Sequence, residues 1–384
     1  MIRREIEKRD NLFIRFAEYD FNFGTDNGVP YWDETAMYEF SLKEIEKLEA
    51  VTEDLHQRCL ALVEEVVYSA DMLKKLRIPE HAWNTIRNSW SKREPSLYGR
   101  MDFSWNNGKP KLLEYNADTP TSLYEASIFN WKWLEDMNET KWKDKPRDQF
   151  NSLHEKLVNR FKQLYPARED IQFAYVENEL EDLTNVLYLA DCATQAGHIP
   201  TLIDINKVGL NSNRFVDERN YHIKNCFKLY PWEWMFAEEF GKNEDALRAT
   251  NWLEPAWKSI LSNKGFLALL WERNIGHENI LETYFEEDAD NLIRTGSYVR
   301  KPIFSREGSN IEIYEDGKLE MNGGSYGSEG HIIQALCSLP NFDGNYPVLG
   351  SWIVGNESSG LTIRESSGRI TDNVSRFVPH CIVE

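Results

Sequence analysis

Two polar triplets stand a short way apart in apolar surroundings: Arg100-Met101-Asp102 and Glu114-Tyr115-Asn116. The stretch from Phe103 to Leu113, with Asn106-Asn107-Gly108-Lys109 at its middle, reads as strand, Asn-Gly-type turn, strand. Side chains alternate faces along a strand, so Arg100 and Asp102 share one face, as do Glu114 and Asn116. A connection of three or five residues puts all four on the same face. A two-residue Asn-Gly turn puts them on opposite faces unless a bulge corrects it. On one face they would gather two carboxylates, a carboxamide and a guanidinium. Hard cations such as Mg²⁺ take that oxygen set, and a phosphate bridging the metal suits the arginine. The ordinary alternative is a solvated cross-strand ion pair. Lys111-Leu112-Leu113 argues for the first reading, because it marks a half-buried strand and buried carboxylates need partners or a metal.

Downstream, Lys301 falls on a strand, and a short loop with Arg306, Gly308 and Ser309 leads into another strand at Ile311. A lysine can hold a polyphosphate, and a Gly/Ser loop can turn backbone N–H groups onto phosphate oxygens; an ordinary β-turn explains the same residues. No G-x-x-x-x-G-K-[ST] loop is present, and no G-x-G-x-x-G follows the strand Gln172–Val176. Lys264 opens the apolar run Gly265-Phe266-Leu267-Ala268-Leu269-Leu270. It is either a lysine snorkelling from a core element or a second phosphate ligand.

These residues need a scaffold, and its elements are partly legible. Ser41-Leu42-Lys43-Glu44 has capping-box form and opens an amphipathic helix expected to reach about Leu76. Helices are also expected over Tyr124–Trp133 and Phe150–Leu164, the latter stopped by Pro166. A β-α-β unit follows: Gln172–Val176, then Leu183–Ala196 ended by Gly197, then Thr201–Ile205. The acids of Glu177-Asn178-Glu179-Leu180-Glu181-Asp182 suit a helix N-terminus; the alternative is an acidic rim that receives an ammonium group. From about residue 292 short strands and Gly-rich turns take over: Tyr298–Phe304, Ile311–Tyr314, a turn at Asp316-Gly317, Tyr346–Val354 and Leu361–Arg364. The change of pattern places a boundary near residues 230–260.

With 384 residues, a net charge of −19 and 49 aromatic side chains, the chain has a sizeable core and no basic stripe for nucleic acid or an acidic membrane. The acidity is compatible with a cationic substrate. Five scattered cysteines without C-x-x-C spacing argue against a disulfide framework or zinc site and for a reducing cytoplasm. Met1-Ile2-Arg3-Arg4-Glu5 has no signal-peptide character and no run of about 18 apolar residues occurs, so a soluble cytoplasmic protein is expected.

Taken in order, Arg100-Met-Asp102, Glu114-Tyr-Asn116-Ala-Asp118, Asn263-Lys264, Lys301-Pro302-Ile303, Arg306-Glu-Gly308-Ser309-Asn310 and Arg364 resemble the synthetase domain of the glutathionylspermidine synthase family. The likeness covers residues 10–384 and is nearest to a stand-alone bacterial branch without the amidase half. It implies an α/β (α+β) ATP-grasp fold with a preceding pre-ATP-grasp-like β-α-β lobe. The implied sub-lobes are roughly 1–166 (helical, with the metal hairpin), 167–240 (β-α-β) and 241–384 (ATP-binding, with the lid). It further implies ATP and Mg²⁺, the metal held by Asp102, Glu114 and Asn116. Arg100 and Arg364 would be the catalytic arginines, and ATP would meet Arg100, Asp102, Lys264, Lys301, the lid Arg306-Glu307-Gly308-Ser309-Asn310, and Arg364. Thr119 and Thr121 stand where the family carries serines for its acid substrate, and Glu181-Asp182 correspond to its acidic substrate pair.

The implied activity is an acid–amine ligase forming a C–N bond through an acyl phosphate, acting on a peptide or glutathione-like acid and a polyamine-like amine. No side-chain nucleophile is required, in keeping with the lack of a Ser-His-Asp or Cys-His constellation. Two alternatives stay open: a kinase-like phosphotransferase, and a non-catalytic nucleotide- or peptide-binding protein.

Overall fold

Ser41 caps the helix Leu42–Val66 as its sequence requires: its hydroxyl accepts from the Glu44 N–H while the Glu44 carboxylate accepts from the Ser41 N–H. Ile45, Leu48, Leu55, Cys59, Leu62 and Val66 form the buried stripe. The helix stops ten residues short of the expected end at Leu76 because Ser69, in extended conformation at φ −110° and ψ 105°, caps a new short helix, Ala70–Lys75, and accepts from the Met72 N–H at 3.3 Å. The computed structural model describes residues 1–10, 12–18, 25–26, 29–177, 180–372 and 375–383.

The fold has three large sheets, and the long helix packs on the first of them. The first is antiparallel, in the order Arg376–Phe377, Glu357–Ser366, Tyr346–Val354, Tyr98–Asn106, Lys109–Asn116. It joins the sequence-distant strands Tyr98–Asn106 and Tyr346–Val354, with Asp102 opposite Gly350 and Arg100 opposite Trp352. The second is the four-stranded parallel sheet Asn251–Leu253, Asn225–Lys228, Asp170–Tyr175, Ile199–Asp204. Its last two strands are the expected β-α-β pair, joined by the helix Leu180–Gln195, which Gly197 terminates at φ +99°. The third is antiparallel: Thr283–Phe285, His331–Ala335, Tyr298–Pro302, Glu312–Glu315, Lys318–Met321. Its last hairpin turns at Asp316-Gly317.

Two expected helices differ at their ends. The first contains a π-helical turn, Glu125–Phe129, and runs on through Asn130–Thr140. The second spans Leu153–Leu164, because Phe150 and Asn151 instead pair with the strand Glu357–Ser366. All five cysteines are free thiols. Among the described residues no helix is long and apolar enough to cross a membrane.

Three histidines are buried among the described residues, His56, His198 and His380, and two of them have strongly lowered pKa values. His56 lies between the Tyr115 hydroxyl at 3.0 Å and the Asn356 amide oxygen at 3.1 Å, and His380 faces the Asn130 amide at 3.1 Å. Burial lowers His56 from 6.5 to about 4 and His380 to about 3. Below 6.5 the unfolded chain binds protons that the folded chain refuses, so stability is lost as the pH falls from 6.5 towards those values. The limiting slope is about 1.4 kcal/mol per pH unit per group. Thermal midpoints measured through this range should fall, and His56→Gln should flatten the dependence.

Candidate active site

The turn of the polar hairpin is Asn107-Gly108, two residues with φ of +51° and +73°. Asn106 pairs with Lys109 and the register holds to Phe103 opposite Leu112. There it shifts: Asp102 lies opposite Glu114 and Arg100 opposite Asn116. Leu113 is the extra residue of a β-bulge, and it restores all four polar side chains to one face. The bulge is anchored from outside. Leu112 N–H donates to the Asn279 carbonyl at 2.9 Å, and the Leu113 carbonyl accepts from Lys301 Nζ at 3.0 Å.

On that face Arg100 grips Asp102 with both ends of its guanidinium, Nε to Oδ1 at 2.6 Å and Nη2 to Oδ2 at 3.0 Å. Its Nη1 donates to the Thr121 carbonyl at 3.0 Å, and its carbon lies 5.4 Å above the Trp352 ring. The Asn116 amide bridges the two acids, donating to Asp102 Oδ2 and Glu114 Oε1 at 3.0 Å each. Burial pushes the Asp102 carboxyl upward while Arg100 pulls it back. Burial would raise Glu114 too, but the Lys264 and Lys301 ammonium groups hold it well below the usual carboxylate range.

Arg100 lies flat because Gly350 leaves room: a Cβ there would stand 2.7 Å from Arg100 Cδ. Gly350→Ala must therefore swing the guanidinium off Asp102. We expect a loss of about tenfold to about a hundredfold in nucleotide turnover, read as ADP release, with little change in thermal midpoint.

Lys301 Nζ also donates to Gln334 at 2.7 Å, and burial lowers its pKa to about 8. Lys264 Nζ reaches the Glu114 carboxylate at 3.0 Å and the Ser305 carbonyl at 2.8 Å. Arg306 spans the opening: Nη1 donates to Thr119 Oγ1 and Nη2 to Glu233 Oε1, both at 2.8 Å, with Trp234 5.6 Å away. Gly308, at φ +68°, lets the loop press on the Thr371 carbonyl, which a Cβ would approach to 2.2 Å. Arg364 donates to the Asp372 carbonyl at 2.7 Å, and its Nε has no hydrogen-bond partner among the described residues.

Most of the sequence candidates converge on one cavity of about 880 Å³. Arg100, Asp102, Glu114, Asn116, Thr119, Thr121, Glu181, Asp182, Lys301, Arg306, Glu307, Gly308 and Arg364 all line it. Lys264, Ser309 and Asn310 do not: Lys264 stands behind Glu114, and Asn310 turns its amide oxygen to the Tyr326 N–H at 2.9 Å. Of the acidic segment before the helix, Asn178 and Glu179 lie outside the described residues. The far end of the cavity is apolar, walled by Val299, Ile311, Ile313, Ala335, Leu336 and Ile370.

Among the described residues no group of three or more His, Cys, Asp or Glu side chains could enclose a metal. Two carboxylates and a carboxamide at a cavity wall match a cation that takes the rest of its coordination from water and a bound phosphate, as Mg²⁺ does. Sequence reasoning left Glu233, Trp234, Gln334 and Arg369 without a role, although all but Glu233 line the cavity and Glu233 holds Arg306. Nothing in their local sequence marks them.

Residues 3–383 match the family model described as "Glutathionylspermidine synthase preATP-grasp". A Haemophilus influenzae protein named "Putative acid--amine ligase" is 38% identical over 94% of this chain and 94% of its own. Trypanothione synthetase of Crithidia fasciculata is 28% identical over 92% of this chain, and the bifunctional glutathionylspermidine synthetase/amidase of Escherichia coli 26% over 88%. The chain spans 58% of the length of each of those two. A solved glutathione synthetase-like effector from Globodera pallida superposes with a TM-score of 0.57 over 98% of both chains at 12% identity, so the α/β architecture is that of the glutathione synthetase-like ATP-grasp proteins. Family match, relatives and fold agree: the chain belongs to the glutathionylspermidine synthase preATP-grasp family.

Proposed function

We propose that this protein is an ATP- and Mg²⁺-dependent ligase that joins a carboxylic acid to an amine through an acyl phosphate. The observation that carries the reading is the Leu113 bulge. It sets Arg100, Asp102, Glu114 and Asn116 on one face of a cavity that Lys301 and Arg364 also reach. The relatives named as acid–amine ligase and as synthetases support the reaction class.

The acid's carboxylate oxygen attacks the γ-phosphorus of ATP. A C–O–P linkage forms and ADP leaves with the electron pair of the broken bond. The amine nitrogen then bonds to the acyl carbon, phosphate departs, and the ammonium proton is lost. In this scheme Lys301 holds polyphosphate oxygens, Lys264 supports Glu114 from behind the wall, and the apolar slot between Val299 and Ile370 takes the nucleobase. Arg100 and Arg364 meet the charge that develops on the transferred phosphoryl group. Asp102, Glu114 and Asn116 would hold Mg²⁺, whose contribution when bound is to neutralise the polyphosphate. The lid loop Arg306–Asn310 excludes water from the acyl phosphate. Thr119 and Thr121 face the acid, a glutathione-like peptide, and Glu181 and Asp182 face a polyamine-like amine.

A screen of acid–amine pairs for stimulated ADP release at fixed Mg²⁺, with products identified by mass spectrometry, tests this. An amide formed in step with ADP supports the ligase. A phosphorylated product, or slow hydrolysis that no pair stimulates, removes it. The pH dependence gives a second check. Lys301 loses its charge as the pH rises through about 8, so ATP affinity of the resting protein should fall there. Calorimetric titration should show that step in the wild type and not in Lys301→Gln.

A further inference from the structure

The two walls of the nucleobase slot touch each other. Ile370 is buried in one apolar cluster with Val299 and Ile313, and Ile311 and Leu336 pack against it. A flat ring needs about 3.5–4 Å to the carbon atoms on each side, so walls in contact leave it no room. One wall must move before a base can enter. Val299 and Ile313 sit on paired strands of the third sheet, Tyr298–Pro302 and Glu312–Glu315. Ile370 belongs to no strand; it lies in the short segment Gly368–Asp372 that follows the strand Glu357–Ser366. That segment is the wall that can yield.

Three contacts hold the segment down, and each reaches a different part of the site. Arg369 Nη1 donates to Glu315 Oε2 at 2.5 Å and Nε to Glu320 Oε2 at 2.9 Å, while the Arg369 N–H donates to Glu320 Oε1 at 3.3 Å. Both acids stand on the hairpin of Glu312–Glu315 and Lys318–Met321, so Arg369 clasps the segment to the third sheet. The Thr371 carbonyl lies against Gly308 of the lid loop, and the Asp372 carbonyl accepts from Arg364 at 2.7 Å. The Arg369, Glu315 and Glu320 side chains keep 29%, 39% and 40% of their surface exposed. Ion pairs so exposed are weak and are screened by salt, which suits a fastening that opens with each binding event.

We propose that Gly368–Asp372 is a strap closed over the nucleobase slot, and that a base enters by lifting Ile370, opening the Arg369 clasp and withdrawing the Thr371 and Asp372 carbonyls from the lid loop and from Arg364. The inference rests on the ligase reading above and adds an order of events to it. The apolar surface that Ile370 gives up is covered again by the ring that replaces it. Arg364 then loses its carbonyl partner. Its Nε already lacks one among the described residues, so the freed guanidinium can turn its donors to the transferred phosphoryl group. The lid loop, no longer pressed on Thr371, can settle over the phosphates. A polyphosphate without a base reaches Lys301 but leaves Ile370 in place and Arg364 engaged. Arg369 acts through the strap and is thus a positioning residue.

The strap can be read without turnover. 2-Aminopurine riboside, a fluorescent nucleoside without phosphates, isolates the slot from Lys301, and stopped-flow titration of the full chain gives its association rate and affinity. Arg369→Gln should associate about three- to tenfold faster than wild type and bind tighter by a similar factor, with Glu320→Gln between the two. Loss of a merely structural contact would weaken binding instead. Salt raised from about 0.05 M to about 0.5 M should speed association with the wild type and leave Arg369→Gln unchanged, since the probe carries no charge. Adenosine should hasten amide hydrogen exchange, read by mass spectrometry, in residues 368–372 and in residues 306–310. Thermal midpoints check that each variant folds. An Arg369→Gln association rate at or below that of the wild type, a wild-type rate that ignores salt, strap exchange that adenosine leaves unchanged or slows, or a nucleoside that does not bind overturns the inference. ADP release is scored separately. An acid–amine pair that drives it while the strap ignores the nucleoside removes this inference alone, whereas no stimulated release by any pair removes the ligase reading.

Discussion

Asp102→Asn and Glu114→Gln are each expected to abolish Mg²⁺-dependent ADP formation, by at least about 10³-fold, while the protein still folds. Both substitutions keep shape and remove one negative charge. At Asp102 the loss falls on a bidentate clamp. An amide can accept from Arg100 Nε with its oxygen, but its NH₂ group then faces Arg100 Nη2, which now sits 3.0 Å from an oxygen. At Glu114 the loss leaves the Lys264 and Lys301 ammonium groups without the anion between them. In either variant the cavity wall keeps its shape but no longer offers two anionic oxygens beside one carboxamide, and Mg²⁺ binds few neutral donors well.

Arg100→Lys is the companion variant. It keeps the positive charge and gives up the planar fork, so it should retain Mg²⁺ binding and lose rate. Each protein is checked by thermal midpoint and near-ultraviolet dichroism, and turnover is followed by coupled ADP release across a Mg²⁺ titration. Wild-type turnover in both carboxylate variants would return the hairpin to a structural ion-pair network.

That network also marks where sequence reasoning runs out. Asn107-Gly108 announces a two-residue turn, and alternation then predicts that Glu114 and Asn116 face away from Arg100 and Asp102. The bulge that reverses this falls in Leu112-Leu113, where nothing in the residue types selects one leucine over the other. The register is settled by Asn279 and Lys301, both far along the chain, which take the Leu112 N–H and the Leu113 carbonyl. The same division runs through the fold. Tyr346–Val354 is legible as a strand from its own residues. Tyr98–Asn106 is legible too, as the first arm of the hairpin, but that these two strands lie side by side is not, because pairing depends on packing between distant segments. The capping box at Ser41 is local chemistry and is legible.

Lys258→Met should cost about 3–5 kcal/mol and reduce activity as well, although Lys258 is not part of the cavity wall. Its partner Glu254 is fully buried and ties the parallel sheet to the strand that carries the site. The Glu254 carboxylate accepts from the Leu97 N–H at 3.0 Å, the Tyr98 N–H at 2.9 Å and Lys258 Nζ at 2.9 Å, and Lys258 Nζ donates in turn to the Tyr98 carbonyl at 2.5 Å. Removing the lysine leaves a charge in the core with two backbone donors and no cation. A second bolt lies beyond the other end of the hairpin. Asp118, two residues after Asn116, pairs with Lys228 at 2.8 Å with both side chains fully buried, and also accepts from the Trp232 N–H at 2.8 Å. The hairpin bearing Arg100, Asp102, Glu114 and Asn116 is thus held at both ends by buried ion pairs to the middle of the molecule. Replacing both charges of one pair with apolar residues should cost less than replacing one, because no unpaired charge remains, yet Leu97 and Tyr98 would still lose their acceptor, at about 1–3 kcal/mol. Denaturant midpoints of Lys258→Met, Glu254→Leu and the double variant, read as a double-mutant cycle, measure this coupling. A Lys258→Met protein with an unchanged midpoint would show that the bolt carries no load.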